Sequence, residues 1–576
     1  MNISLWAPFA KSVELVTAEN RIPLGAGDDG DWQLEVDESL LQGGYRYSID
    51  GGDPLPDPRS RWQPDGVHGA SHVVDTSIAA DALRSAAPGL APARAMALRD
   101  AVIYEMHVGT FTPEGTYTAA QGKLAHLLRL GITHIELMPL ATFPGARGWG
   151  YDGVDLYAPF PAYGTPQQLA GFVRSCHEHG LRVLLDVVYN HVGPDGNYLG
   201  QYGPYFTDRY KTGWGMAINY DGPHSDQVRR FVIDNALMWL RDYGFDGLRL
   251  DAVHAIFCFE AVHVLEELGS RVHGLSEELG RTLVLIAESD LNDPRLVRPR
   301  LRGGFGLDAQ WADDFHHAIH RFFTNEIDGY YADFCGLADL ATALRDGYVY
   351  QGQYSAHRQR RHGRPPTGIG AQQLVVCAQN HDQIGNRAAG ERLSMLVGVA
   401  QQKAIAALTL LSPFTAMLFQ GEEWGASTPF LYFTDHQDAA LGRLVADGRV
   451  REFASFRWQG EVPNPQEWDT FARSKLDWSE VAEPHHAELY EWHRRLIELR
   501  RSRRRAEVRK PVVKFDAADG WLRVEYGGLL TVLNFAARAQ CVPMPRGEWE
   551  LLLASGAKVH SMAKQPAHGT IVYRRK

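Results

Sequence analysis

The stretch FDGLRLDAVH, Phe245 to His254, governs how the rest of the chain is read. Side chains alternate faces along a strand, so Leu248, Leu250 and Ala252 point one way while Arg249 and Asp251 point the other. One face suits a core; the other carries a full ion pair. Burying two charges is costly unless they are paired and hydrogen-bonded. The pair is therefore either structural or the means of keeping a working carboxylate charged.

Seven other stretches have the same apolar build. They are AVIYEMHV from 101, ITHIELMPL from 132, RVLLDVVYN from 182, LVLIAES from 283, FGLDAQW from 305, QLVVCAQN from 373 and FTAMLFQGE from 414. Most are separated by enough residues for a helix, and parallel strands need such crossovers. Eight strands of this kind predict a (β/α)8 barrel, with a doubly wound sheet as the structural alternative. The runs ISLWAP, SVELV, WQLEV and YRYSID near the start alternate and are cut by Gly, Asp and Pro, which predicts an N-terminal β-sandwich over 1–85. The stretch AADALRSAAPGLAPARAMAL, 79–98, reads as a linker. The barrel is expected over 86–505 with a small insertion at about 192–225, and WLRVEY, LLTVLNF and WELLLA predict a C-terminal β-sandwich over 506–576.

Composition excludes several roles. A chain of 576 residues with 45% hydrophobic content can bury more than one core, and its net charge of -11 argues against a nucleic-acid partner. The basic run at Arg494 to Arg505 shares a helical pattern with Leu489, Trp492, Leu496 and Leu499, and reads as a solvated helix end. The five cysteines form no CxxC or Cys/His metal spacing and read as reduced core residues. No leader and no membrane-length apolar run is evident, so the expected setting is soluble and cytoplasmic, with no membrane partner. Oligomeric state is not legible.

In a barrel, reacting groups gather at the C-terminal ends of the strands. Asp186, Asn190 and His191 end the third stretch, Arg249 and Asp251 the fourth, Glu288 the fifth, and Asn380, His381 and Asp382 the seventh. Carboxylates meeting in one cleft raise one another's pKa and have no cheap structural purpose. They are the equipment of glycosidic bond cleavage, which needs one ionised carboxylate and one protonated carboxyl. Arg249 is expected to hold Asp251 ionised, while Glu288, with no arginine of its own, is expected to stay protonated.

The segments DVVYNH, GLRLDAVH, IAES and QNHD, in this order, resemble the four signature regions of the α-amylase family of glycoside hydrolases and transferases. The resemblance implies a nucleophile at Asp251, a general acid/base at Glu288 and a grip on sugar hydroxyls by Asp382. It further implies an architectural carboxylate at Asp186, hydrogen bonds to glucose or nucleophile from His191, Arg249 and His381, and an aromatic platform at Tyr151. Calcium-dependent members add acidic ligands from the insertion, and no such set is evident here. No metal or cofactor is therefore expected, and Asn190 is expected to hydrogen-bond.

A narrower resemblance covers nearly the whole chain. LWAPFAKSVELV is similar to the glucan-binding module that precedes branching and debranching enzymes. DPLPDPRSRWQPDGVHGAS, DAQWADDFHH, GEEWGASTPFLYFTDH and TFARSKLDW resemble the branch of the family that releases trehalose. The implied reaction is retaining hydrolysis of the α-1,4 bond next to the terminal trehalose of maltooligosyltrehalose. The trehalose end is expected to meet Trp311, Asp313, Asp314 and Phe315 after the sixth strand, and Glu423 and Trp424 after the eighth. A glucan branching transferase and a non-catalytic glycogen-binding protein are the rival readings. Intact Asp251, Glu288 and Asp382 speak against the second.

Overall fold

The computed structural model describes residues 1–74, 98, 101–455, 462–503, 510–556 and 564–576, with side chains of 452–455 excepted. Most of the expected linker lies outside them. The eight barrel strands are β1 (Val102–Met106), β2 (His134–Leu137), β3 (Arg182–Val187), β4 (Gly247–Leu250), β5 (Val284–Ala287), β6 (Ala309–Trp311), β7 (Leu374–Cys377) and β8 (Thr415–Phe419). All neighbours run parallel, and β8 closes on β1 with Ala416 beside Val102. Each of the eight predicted stretches supplies one strand. The barrel is the observed fold, and the doubly wound sheet is excluded by closure.

Helices between the strands follow their sequence signals. The helix Pro166–Glu178 starts with a proline and is capped reciprocally by Thr165 and Gln168, then returns the chain to β3. Gly247 opens β4 because a Cβ there would stand 2.4 Å from the Val284 carbonyl oxygen of β5. That close approach draws the two strands carrying Asp251 and Glu288 together.

Two three-stranded antiparallel sheets, Asn2–Trp6 with Asp31–Glu35 and Gly25–Ala26, and Val13–Val16 with Arg21–Pro23 and Arg46–Ile49, make the N-terminal module. The PRSRW portion after it ties that module to the barrel: Arg59 pairs with Asp234 and Arg61 with Asp242, both on the helix Ser225–Asp242. The insertion after β3 holds a hairpin, Phe206–Thr212 and Gly215–Ile218. At the other end a five-stranded antiparallel sheet, with Leu529–Asn534 at its centre, is accompanied by a two-stranded one at Gln540–Cys541 and Lys564–Gln565.

Two expectations are corrected. Arg500, near the end of the helix Pro484–Arg501, is buried and gives hydrogen bonds to the carbonyls of Leu410, Ser412 and Phe414, so that part of the basic run caps the barrel instead of facing solvent. Among the free cysteines, Cys335 and Cys541 are exposed; the other three are buried. No helix among the described residues is long and apolar enough to cross a membrane.

Candidate active site

The site forms around one guanidinium. Arg249, wholly buried on β4, gives Nη1 to both oxygens of Asp186 on β3 at 2.9 and 2.8 Å, and to Asp251 Oδ1 at 2.7 Å. Strand register places it beside Asp186. Its carbon lies 4.2 Å from the centroid of the Trp311 ring. Such charge-assisted bonds stabilise a buried cation that would otherwise cost several kcal/mol. The other Asp251 oxygen accepts from Asn190 Nδ2 at 2.5 Å. Both oxygens of Asp251 thus accept hydrogen bonds.

Glu288 has a different environment. Burial pushes its carboxyl up to about 8; the charges of Asp251, Asp313 and Asp382 add to this, and Arg249 opposes it. The expectation that Glu288 lacks an arginine needs correction, since Arg249 Nη2 stands 3.5 Å from Glu288 Oε2. Desolvation outweighs that attraction. The Ala252 N–H also bonds Oε2, which leaves the acid proton to Oε1. Ala252 takes this position with φ 38° and ψ 49°, a left-handed conformation costing an alanine about 1–2 kcal/mol. One residue on, the Val253 N–H bonds the Glu288 carbonyl at 3.0 Å.

A second chain of contacts enters from β7. His381 lies against the Tyr151 ring, with centroids 5.1 Å apart, and its Nε2 meets the Tyr151 hydroxyl at 2.7 Å. That hydroxyl donates to Asp186 at 2.6 Å. Asp382 follows on the helix His381–Gly385, which Asn380 caps; its side chain is 41% exposed and open to a ligand. Burial pushes Asp186 up to about 6 against the pull of Arg249. His191 sits 3.0 Å from the Tyr151 carbonyl, and burial lowers its pKa.

Asp251, Glu288, Asp382, Asp186, Arg249, His191, His381 and Tyr151 thus converge at the strand ends. Asp313, at the start of the helix Asp313–Thr324, joins them; burial and then the charges of Asp290, Asp314 and Asp382 push it up to about 7. Its neighbours among the expected trehalose contacts do not join. Asp314 is buried and accepts from Asn292 and from the Val349 and Tyr350 amides at 2.7, 2.7 and 2.8 Å, so it clamps a loop. Phe315 is wholly buried in the core. Trp311 is buried beneath Arg249 and His381, a floor instead of a wall. Glu423 is sealed inside by Tyr104 and by His126 at 2.8 Å, and Trp424 is packed beside it against His126 and Trp478. Five of the six expected trehalose contacts, Trp311 at the end of β6 among them, are therefore buried, and Asp313 alone of the six is partly open.

Sequence reasoning missed Trp214. It lies between two glycines at the hairpin tip, 54% exposed, with its ring parallel to His191 at 4.5 Å. An aromatic flanked by glycines in a loop was the available signal. Among the described residues no group of three or more His, Cys, Asp and Glu side chains is arranged to hold a metal ion.

Comparison with known proteins agrees with this geometry. Residues 92–211 match the family model for the alpha amylase catalytic domain. The malto-oligosyltrehalose trehalohydrolase of Rhizobium sp. (strain M-11) is 48% identical over 564 residues, covering 96% of this chain and 93% of its own. That of Arthrobacter ramosus is 50% identical over 506 residues, 86% of each chain. The crystal structure of a Salmonella typhimurium protein described as an alpha amylase superposes with a TM-score of 0.88 at 38% identity, over all of this chain and 97% of the other. With a barrel whose strand ends carry this carboxylate set, and relatives of this identity along nearly its whole length, the chain belongs to the malto-oligosyltrehalose trehalohydrolases of the α-amylase family.

Proposed function

We propose that this chain hydrolyses the α-1,4-glucosidic bond next to the terminal trehalose of maltooligosyltrehalose, with Asp251 as nucleophile and Glu288 as acid and base. The observation that carries the assignment of roles is the contrast between the two carboxyls. Asp251 has Arg249 on one oxygen and Asn190 on the other, while Glu288 is desolvated and pushed up to about 8. An anion and an acid at neutral pH, both beside one guanidinium, are what a retaining glycosidase needs.

Attack by Asp251 on the anomeric carbon forms a glycosyl ester as the bond to trehalose breaks, and Glu288 gives its proton to the departing oxygen. The Glu288 carboxylate then takes a proton from water, which displaces the ester and leaves a maltooligosaccharide with its configuration retained. Asp382 grips sugar hydroxyls and Tyr151 supports the ring. The departing trehalose is accommodated by a cavity of about 690 Å³ between the loops after β4 and β5, lined by His254, Phe257, Phe259, Ser289, Leu291 and Phe305. The support is position, since His254 lies three residues past Asp251 and Ser289 directly follows Glu288. A cytoplasmic setting belongs to the same proposal and is supported by the free thiols.

Maltooligosyltrehalose and amylose offered separately, with products separated by chromatography, test this function. Trehalose from the first and little change in the second is expected. New branch points in amylose would overturn hydrolysis in favour of transfer.

A further inference from the structure

Glu105, on β1, has no part in the reaction as described. It is 1% exposed, and both its oxygens are used by one neighbour: Oε1 meets His381 Nδ1 at 2.5 Å and Oε2 accepts from the His381 backbone N–H at 3.0 Å. From His381 the contacts continue through the Tyr151 hydroxyl, Asp186 and Arg249 to Asp251. A tyrosine hydroxyl has one proton to give, and an ionised carboxylate can only accept. Tyr151 therefore gives its proton to Asp186 and must accept one from His381 Nε2. Nδ1, facing Glu105, must carry a proton too. Every bond along this route has one direction only while both ring nitrogens are protonated.

We propose that Glu105 is a positioning residue of the reaction: by taking the Nδ1–H and the backbone N–H of His381 it sets the direction of a hydrogen-bond chain that runs through Tyr151, Asp186 and Arg249 to Asp251. This rests on Asp251 acting as nucleophile.

The charges around His381 single out Glu105 as the source. Facing it are Glu105 from β1, Glu136 from β2, Asp186 from β3, Arg249 from β4, His107 just past β1 and Asp382 on its own helix, with Tyr151, Trp149 and Trp311 against the ring. Burial works against a charged ring, yet Glu105 and Asp382 prevail and push it up to about 9. Glu136 is raised well up by burial and by Glu105 and Asp186, and neither of its oxygens has a hydrogen-bond partner among the described residues, so it adds no charge. His107 is lowered by burial to about 3 and stays neutral. Asp382 stands 3.6 Å away and half in solvent, which leaves Glu105 as the buried anion. Without its charge, Nε2 would become an acceptor and the Tyr151 proton would turn toward it. Asp186 would lose that donor, and the hold of Arg249 on Asp251 would weaken.

Glu105→Gln keeps the shape and removes the charge. His381 should then return toward an ordinary histidine near about 6.5, so kcat/KM for trehalose release at pH 8 should fall about thirtyfold relative to the unsubstituted enzyme and recover as the pH is lowered to 5.5. Glu105→Asp, which keeps the charge, should hold the alkaline limb in its original place whatever its rate. Nitrogen-15 spectra of the histidine-labelled full chain, with His381→Asn for assignment, should show a doubly protonated ring at pH 8. A singly protonated His381 at pH 7 would overturn the proposal, as would a Glu105→Gln profile that superposes on the original or a Glu105→Asp limb that moves. Should Glu105→Gln not fold, the spectrum of the unsubstituted enzyme and the Glu105→Asp profile decide. Absence of trehalose release from the unsubstituted enzyme would overturn the function proposed above and leave the spectrum to judge Glu105.

Discussion

Raising the pH from 7 to 9 removes the proton on which bond cleavage depends. Glu288 is pushed up to about 8 by burial, with Asp251, Asp313 and Asp382 adding and Arg249 opposing. About ten carboxyls in eleven then carry the proton at pH 7 and about one in eleven at pH 9, so loss of this proton alone should lower turnover about tenfold between them, with the fall steepening above pH 9, where His381 also gives up a proton. Asp313→Asn removes one of the charges that hold Glu288 up, and the alkaline limb should move to lower pH. The assay is kcat/KM for trehalose release between pH 5 and 10 at constant ionic strength, on both proteins, with the limb position read separately from the plateau rate. An alkaline limb below pH 6 in the unsubstituted enzyme would show that Glu288 is ionised at neutrality and is not the acid. A limb unmoved or raised in Asp313→Asn would show that the Asp313 charge is not felt there.

Asp251→Asn should lower kcat at least about a hundredfold while calorimetry still detects substrate binding, because the lost group acts on the anomeric carbon and not as an anchor. Trp214→Ala, which uncovers His191, should raise KM several-fold with kcat little changed, measured on maltooligosyltrehalose in steady state. Asp246 is buried before β4; burial opposes its charge, but His177 at 2.8 Å, Arg281 and Arg182 depress it from 3.8 to about 2. A depressed carboxyl stabilises the fold above its unfolded value and loses that contribution as pH falls toward the folded one. Asp246→Asn should therefore cost about 2 kcal/mol at pH 7 in denaturant melts, and the difference should shrink between pH 4 and 2.

The barrel was legible because buried parallel strands are written as apolar runs, and the reacting groups because charged residues inside such runs need a reason. Asp251 and Glu288 each come directly after a strand, where the chain has little freedom to turn them elsewhere, and Asp382 lies on the short helix that follows β7. The residues after β6 and β8 were not legible for the opposite reason. Asp313 and Asp314 are adjacent at the start of one helix, and the helical turn sends the first to the cleft and the second into a clamp of amides from Val349 and Tyr350. Glu423 reads as a site carboxylate, but His126 and Tyr104, some three hundred residues earlier, enclose it. Trp214 reaches His191 only through the fold of its hairpin, and Glu105 was hidden by lying within a strand whose partner, His381, comes from the far end of the barrel sequence.

The left-handed turn at Ala252 makes the main chain a ruler for the stereochemistry of the proposed reaction. With its N–H on the Glu288 side chain and the next N–H on the Glu288 carbonyl, the spacing of the two reacting carboxyls is measured out by peptide bonds more than by rotamers. Retaining and inverting glycosidases differ in that gap, about 5–5.5 Å against about 6.5–9.5 Å, so the turn bears on the outcome. Shifting the main chain of one segment against the other would mean unwinding residue 252, breaking both links and sliding β4 along β5, against the close contact at Gly247. The stereochemical outcome is thus tied to a turn of the main chain as well as to the two carboxyls that it spaces.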